Sequence, residues 1–470
     1  MKNKFAISEK RMEFIQNLFT VVFMIYAILS CCGLTYGRPI IKPFMWGSFL
    51  LSAVILLYRV LNFREYFKVP ITVFSLMMVG SAGISTILNR NHSFKSNVIF
   101  CIYWAFYFLV LFTTGKSRKK EDCRKTLRIA ATAFTAYTTL FTVVSFILYF
   151  AGKSETYDVP GGNYTYNIGF RWGRLWGIFL NPNHGAVSCA IAILFLVYVF
   201  RNRKKIWERI LIVLDVCIHL LYIVFSDSRT GTVVLSVGVA TYVFAILLKT
   251  FRWKKVLTVL VSGVIAVGIA AGCFAGVRQI RKPVNIIISY VNSQTGGNNP
   301  EKPEDNIIDR GYDLSEDISN RRFDVWKSGA EVFINSGKNM IFGLSYCGFT
   351  EYAQENMPDT YIVNNDYAVM ITLDNEILNI TIANGIFGII SAVAFIGYIL
   401  VFVIVKFKKV GKDEKYFVAL QLAILFPLAC AAMFSSIMFY HFSPNAVMFW
   451  TVLGQVTAYL GAGKKTENEI

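Results

Sequence analysis

Apolar runs of about 20 residues recur along the chain, near positions 14–32, 44–62, 70–88, 97–115, 128–151, 184–200, 208–226, 230–249, 255–277, 376–405, 415–437 and 443–462. A helix rises 1.5 Å per residue, so each run is long enough to cross roughly 30 Å of hydrocarbon. The pattern predicts an all-α polytopic membrane protein with twelve transmembrane helices. One interval breaks the rhythm. Residues 278–375 are polar, which divides the chain into helices one to nine (1–277), a large loop (278–375) and helices ten to twelve (376–470).

The polar connections differ in charge. Of the 47 Lys and Arg, most fall in alternate short connections: "GKSRKKEDCRKTLR", "RNRKKIWER", "KTFRWKK" and "KFKKVGKDEK". Cationic loops stay on the cytoplasmic side, so this alternation places both termini in the cytoplasm and the 278–375 loop outside. The net charge of +18 is therefore read as contact with anionic headgroups of the bilayer, not with nucleic acid. Lys2, Lys4, Lys10 and Arg11 precede the first run with no small-residue cleavage site after it, which predicts an uncleaved first helix. The nine cysteines lie mostly inside apolar runs without paired spacing and read as small buried residues.

Within the large loop, "NSQTGGNNPEKPEDNIIDRGYD" has the composition of a flexible tract. The following "RRFDVWKSGAEVFINS" carries Phe323, Trp326, Ala330 and Phe333 at helical spacing. That predicts an amphipathic helix lying on the membrane or capping the bundle. The shorter outer connection, 152–183, is rich in Gly and aromatic residues.

Candidate chemistry sits at helix mouths. "GRLWGIFLNPNHGA" packs Arg174, Asn181, Asn183 and His184 ahead of the sixth apolar run. The plain reading is an interfacial cation, a turn and an N-cap. The functional one is an anion facing free N–H groups and the positive end of a helix dipole. "SDSRTG" places Ser228 and Arg229 in a very short outer turn, where cations are disfavoured. Arg321 and Arg322 open the amphipathic helix, with Trp326 one turn on. "LDNEILNITIANGIFG" sets Asp374 and Asn375 at the start of the tenth run, followed by Ala383, Gly385 and Gly388. An N-cap and close helix packing explain these residues, and Asp374 also stands where a base could reach an outward pocket. The four histidines (92, 184, 219 and 441) show no metal-ligand spacing, and there is neither a DxD motif nor a P-loop. The sequence thus points to no metal and no cofactor.

Taken in order, "GRLWGIFLNPNHGA", "SDSRTG", "RRFDVWKSGAEVFINSGKNMIFGLSYCGF" and "DNEILNITIANGIFG" resemble the O-antigen ligase and O-antigen polymerase superfamily of bacterial envelope glycosyltransferases. The large outer loop between helices nine and ten matches as well. The resemblance implies a GT-C-like membrane enzyme whose donor is a glycan on undecaprenyl pyrophosphate. Arg174, Arg229 and Arg321 or Arg322 would then bind the pyrophosphate, supported by Asn181, Asn183, Ser228, Trp326 and Asn375. Guanidinium groups suit this task because negative charge gathers on the leaving group. An activated donor needs no ATP or metal.

One departure stands out. Many members carry His-Asn where this chain has Asp374-Asn375. If that His is the base toward the acceptor hydroxyl, Asp374 takes its place; otherwise His184 or His441 is available. The change favours a polysaccharide polymerase making capsule, exopolysaccharide or O-antigen over a ligase that moves finished glycan to another acceptor. A lipid-linked glycan flippase or transporter is a rival of another class. Such a protein should show two related halves and ionisable residues inside several spans, whereas here Asp215 is an exception. A chain-length regulator and other assembly proteins are the further partners implied.

Overall fold

A computed structural model describes residues 8–67, 70–158, 165–250, 255–294, 308, 321–365 and 370–462. The chain runs through α1 (Glu9–Ser30), α2 (Lys42–Leu61), the single turn α3 (Phe63–Tyr66), α4 (Pro70–Leu88), α5 (Phe94–Ala105, widening into a π-helical stretch to Phe112) and α6 (Lys120–Phe150). Strands β1 (Glu155–Asp158), β2 (Thr165–Arg171) and β3 (Arg174–Gly177) follow. Then come α7 (Pro182–Asn202), α8 (Ile206–Phe225), α9 (Arg229–Thr250), α10 (Lys255–Gln294), α11 (Arg322–Asn335), α12 (Gly348–Asn356), α13 (Glu376–Phe407), α14 (Lys415–Ala431) and α15 (Pro444–Gly461).

Every one of the twelve apolar runs is helical. Among the described residues, nine helices are long and apolar enough to cross a membrane. The protein is an all-α polytopic membrane protein, as the apolar pattern predicts. Its outer surface is apolar as well as its core, and polar side chains lie between the helices. Leu50, Leu57, Leu61, Val264 and Val267 face outward, while Ser48, Ser52, Ser75, Ser81, Thr138, Thr142, Gln421 and Gln455 are buried between helices. Lipid is as apolar as leucine, so small and polar side chains that let backbones approach and bond hold such a bundle together. An aromatic core formed by Phe23, Trp104, Phe108, Phe395 and Trp450 joins α1, α5, α13 and α15.

Four differences from the sequence reading matter for the site. Residues 152–183 are not simply a loop, because β1–β2–β3 form a small antiparallel sheet. The ninth helix does not end at 277. It continues through Pro283 to Gln294, because Arg278, Gln279 and Arg281 extend the helical face of Phe274 and Val277 into polar surroundings. The expected flexible tract beyond it, 295–313, lies outside the described residues apart from Ile308. The amphipathic helix exists as α11, but its buried face is Val325, Ser328, Gly329 and Val332. Phe323 is 65% exposed, so the predicted stripe is rotated by about one position.

The fourth difference is in α13, which breaks at Gly385 (φ 68°, ψ −163°). Segment 341–345 docks into that break. Leu344 N and Ser345 N donate to the carbonyls of Ile382 (2.8 Å) and Ala383 (3.0 Å), and Phe387 N donates to Ile341 O (3.1 Å). The first nine residues of α13 therefore pack with the loop body, where Val325, Val332, Leu344, Phe349, Ile362, Leu373 and Ile382 share a second core.

Helices α7, α9, α13 and α15 all begin at one end of the bundle, as their side-chain contacts show below. The basic clusters gather at the other. There Lys120 pairs with Glu414 (2.7 Å), Arg124 bonds Tyr459 (2.8 Å) and Lys249 reaches Lys408 O (3.1 Å).

Candidate functional site

The stretch before α7 folds back on itself through its own polar groups. Asn181 caps α7, its side chain accepting from Asn183 N at 2.8 Å, and Pro182 takes the first helical position where no N–H is required. Asn183 Oδ1 then accepts from two sequence-distant donors: Arg174 Nη2 at 2.7 Å and Ser228 Oγ at 3.0 Å. Arg174 also donates through Nε to Ser226 O at 2.7 Å. It is only 6% exposed. The "GRLWGIFLNPNH" and "SDSRTG" motifs are thus one structure. Arg174 and Ser228 spend polar contacts holding the α8–α9 turn against the start of α7. Gly231 permits this closeness, since a Cβ there would lie 2.4 Å from Ala186 Cβ.

That turn forms one wall of an open cavity. Ile223, Val224, Phe274 and Val277 give it an apolar side; Asp227, Ser228, Arg229, Arg278 and Arg281 give it a polar side. Three guanidinium groups face one carboxylate. Arg278 lies over the Phe274 ring (5.8 Å), and Arg281 Nη1 pairs with Asp227 Oδ1 (3.1 Å). Arg281 is further fixed by Nε donating to Ile308 O (3.0 Å), while Asn285 bonds both N and O of Ile308. Arg174, Arg321 and Arg322 are not among the described lining residues. Sequence reasoning missed Arg278 and Arg281 because they fell inside a long polar loop. The available signal was their three-residue spacing in register with Phe274 and Val277, which marks a helix continuing past the apolar run.

A second polar group surrounds the start of α13. Asn375 caps the helix, accepting from Ile377 N (3.0 Å) and Leu378 N (3.1 Å), and donates to Met433 O (3.1 Å). Asp374, at φ 49°, is half-buried beside Arg322. Burial raises its pKa above the ordinary 3.8, and the Arg322 charge pulls in the opposite direction. Trp326 anchors α11 here by donating to Leu373 O (2.9 Å). Glu376 Oε1 accepts from Met438 N (2.8 Å) and Phe439 N (3.0 Å), tying α13 to the non-helical segment between α14 and α15.

That same segment reaches the first group. His441 meets His184 edge to face, ring centroids 4.3 Å apart. Asn445 Nδ2 donates to His184 O (3.1 Å), and Ser188 Oγ to Asn445 Oδ1 (2.9 Å). Burial lowers the His441 pKa to about 4, so its imidazole is neutral near pH 7. The structure thus brings the predicted residues to one end of the bundle in three linked groups. Arg321 and Arg322 do not line the arginine cavity, and Arg321, at φ 58°, is exposed at the head of α11. Among the described residues, no group of three or more His, Cys, Asp or Glu is placed to hold a metal ion.

Residues 216–393 match the family model described as O-antigen ligase. The match covers less than half of the chain and supports a protein of the O-antigen ligase and polymerase type. The O-antigen ligase match spans from the middle of α8 to the middle of α13. It takes in Ser228, Arg229, Arg278, Arg281, Arg322, Trp326, Asp374 and Asn375, and leaves Arg174, Asn181, Asn183, His184 and His441 outside. No curated protein matches the chain.

Proposed function

We propose that the chain is a polysaccharide polymerase that joins oligosaccharide repeat units carried on undecaprenyl pyrophosphate at the outer face of the cytoplasmic membrane. The observation carrying this reading is the cavity between α8, α9 and α10, which is cationic on one side and apolar on the other. An amphiphile with a polyanionic head and a hydrocarbon tail fits that division. A sugar hydroxyl of one repeat unit attacks the anomeric carbon of another. The bond from that carbon to the pyrophosphate oxygen breaks, a glycosidic bond forms, and undecaprenyl pyrophosphate leaves. Negative charge builds on the leaving oxygen, where Arg229, Arg278 and Arg281 supply guanidinium donors. Arg174 acts at one remove, positioning the Ser228–Arg229 turn through Asn183 and Ser226.

Asp374 accepts the proton of the attacking hydroxyl. As a base it must be ionised, so raising its pKa moves the acid limb of kcat/KM up in pH. Arg322 restrains that rise. Asp374→Asn is expected to lower kcat roughly a hundredfold or more with protein level unchanged. Arg322→Gln shifts the acid limb to higher pH. Near-normal turnover in Asp374→Asn removes the residue from this role and leaves the neutral His184–His441 pair as the acceptor of the proton.

The family description favours one second reading, transfer of finished glycan to a different acceptor. Deletion in the cell that carries the protein, followed by analysis of lipid-linked and surface glycan, separates the two. The polymerase reading expects single repeat units in place of long chains. Long lipid-linked chains that never leave the carrier establish the ligase reading, and absence of outward-facing repeat units establishes a flippase.

A further inference from the structure

Asp227 is a carboxylate placed inside an anion site. It sits in the turn between α8 and α9 at φ 45°, a left-handed conformation that residues other than glycine rarely adopt. Its Oδ1 pairs with Arg281 Nη1 at 3.1 Å, and both side chains line the cavity shared with Arg229 and Arg278. A carboxylate meets a guanidinium in the same planar, charge-assisted way as two phosphate oxygens do. Arg281 is held from behind by its Nε bond to Ile308 O, so the Nη end is the part able to change partner.

We infer that Asp227 is the internal occupant of the phosphate seat on Arg281. It pairs with Arg281 while the cavity is empty, yields that guanidinium when a lipid pyrophosphate binds, and takes it back as the product leaves. This inference rests on the donor reading above. In the empty state the carboxylate offsets repulsion among the three guanidinium groups. Its second effect concerns release. The donor is a pyrophosphate substituted at both ends, whereas the product carries one more ionisable oxygen. A purely cationic cavity therefore holds the product more tightly than the donor. A carboxylate competing for Arg281 counters that hold.

The plain alternative is a strap tying α10 to the α8–α9 turn. The two differ in sign. With the purified full chain in nanodiscs of zwitterionic lipid, undecaprenyl pyrophosphate should bind Asp227→Asn about five- to tenfold more tightly than wild type, the size of effect set by one partly exposed ion pair. Steady-state turnover should show KM and kcat falling together, since tighter product slows release. In an Arg281→Ala background the gain from Asp227→Asn should shrink to the through-space repulsion alone. Asp227→Gly suits the positive φ and provides the same test should the Asn variant unfold. Unchanged binding of undecaprenyl pyrophosphate by Arg229→Ala and Arg278→Ala would overturn the donor reading itself. Lost binding in those two variants, with unchanged or weaker binding in both Asp227 variants, would overturn the Asp227 proposal alone and establish the strap.

Discussion

Arg229→Ala and Arg278→Ala each lower kcat/KM for glycan transfer by about two to three orders of magnitude, the usual loss when one preorganised donor is removed from a developing negative charge. The two residues approach the cavity from different elements. Arg229 opens α9, and Arg278 stands on α10 over the Phe274 ring. Arg174, by contrast, holds the turn through its bonds to Ser226 and Asn183. Arg278→Lys keeps the charge but not the planar fork, so it should recover only part of the loss. The checks are chain length of the glycan made in cells and initial rates with purified protein. A full-length product at normal rate from both alanine variants would exclude the cavity as the seat of the leaving group.

Gly385→Ala is expected to prevent accumulation of folded protein. The residue combines positive φ with extended ψ, a region open essentially to glycine alone. A Cβ there would lie 2.5 Å from both Gly343 N and Ile341 O. Those are backbone atoms of the segment docked in the break of α13, so nothing can swing aside. Conformational strain and overpacking together amount to about 3 kcal/mol or more. Thermal unfolding of detergent-solubilised protein and its yield in membranes are the measurements. Gly388→Ala would place a Cβ 2.3 Å from Asn384 Cβ, an atom fixed to the backbone, and should lower the yield of folded protein as well.

Much of the bundle was legible because lipid imposes a single rule. Each span must be helical and apolar along its length, and every predicted run is a helix. The bonds that join Arg174, Asn183 and Ser228 were not legible, since the motifs lie 45 residues apart and their residues suggested an anion as partner, not one another. The N-caps Asn181 and Asn375 were readable from local pattern alone. The rest was hidden for physical reasons. The sheet strands are four to seven residues long and interrupted by glycine. The break at Gly385 leaves no trace in an apolar period that continues across it. Arg278 and Arg281 look like loop charge until the helix is seen to carry on. Phe323 and Ala330 are exposed on α11, whereas Trp326 and Phe333 of the same stripe pack against the core that Val325 and Val332 enter.

The length of α10 fixes the depth of the chemistry. Forty residues make a rod of about 60 Å, twice the hydrocarbon thickness, so half of it must stand clear of the acyl chains. Arg278 lies 23 residues after Lys255, about 35 Å along that rod. Were the basic end to lie in the cytoplasmic headgroups, as the charge pattern implies, the arginine cavity would stand level with the phosphates of the opposite leaflet. Under the proposed function, a carrier lipid in that leaflet would already hold its pyrophosphate at this height. Capture would then need sideways travel only, with no lifting of the isoprenoid chain out of the membrane.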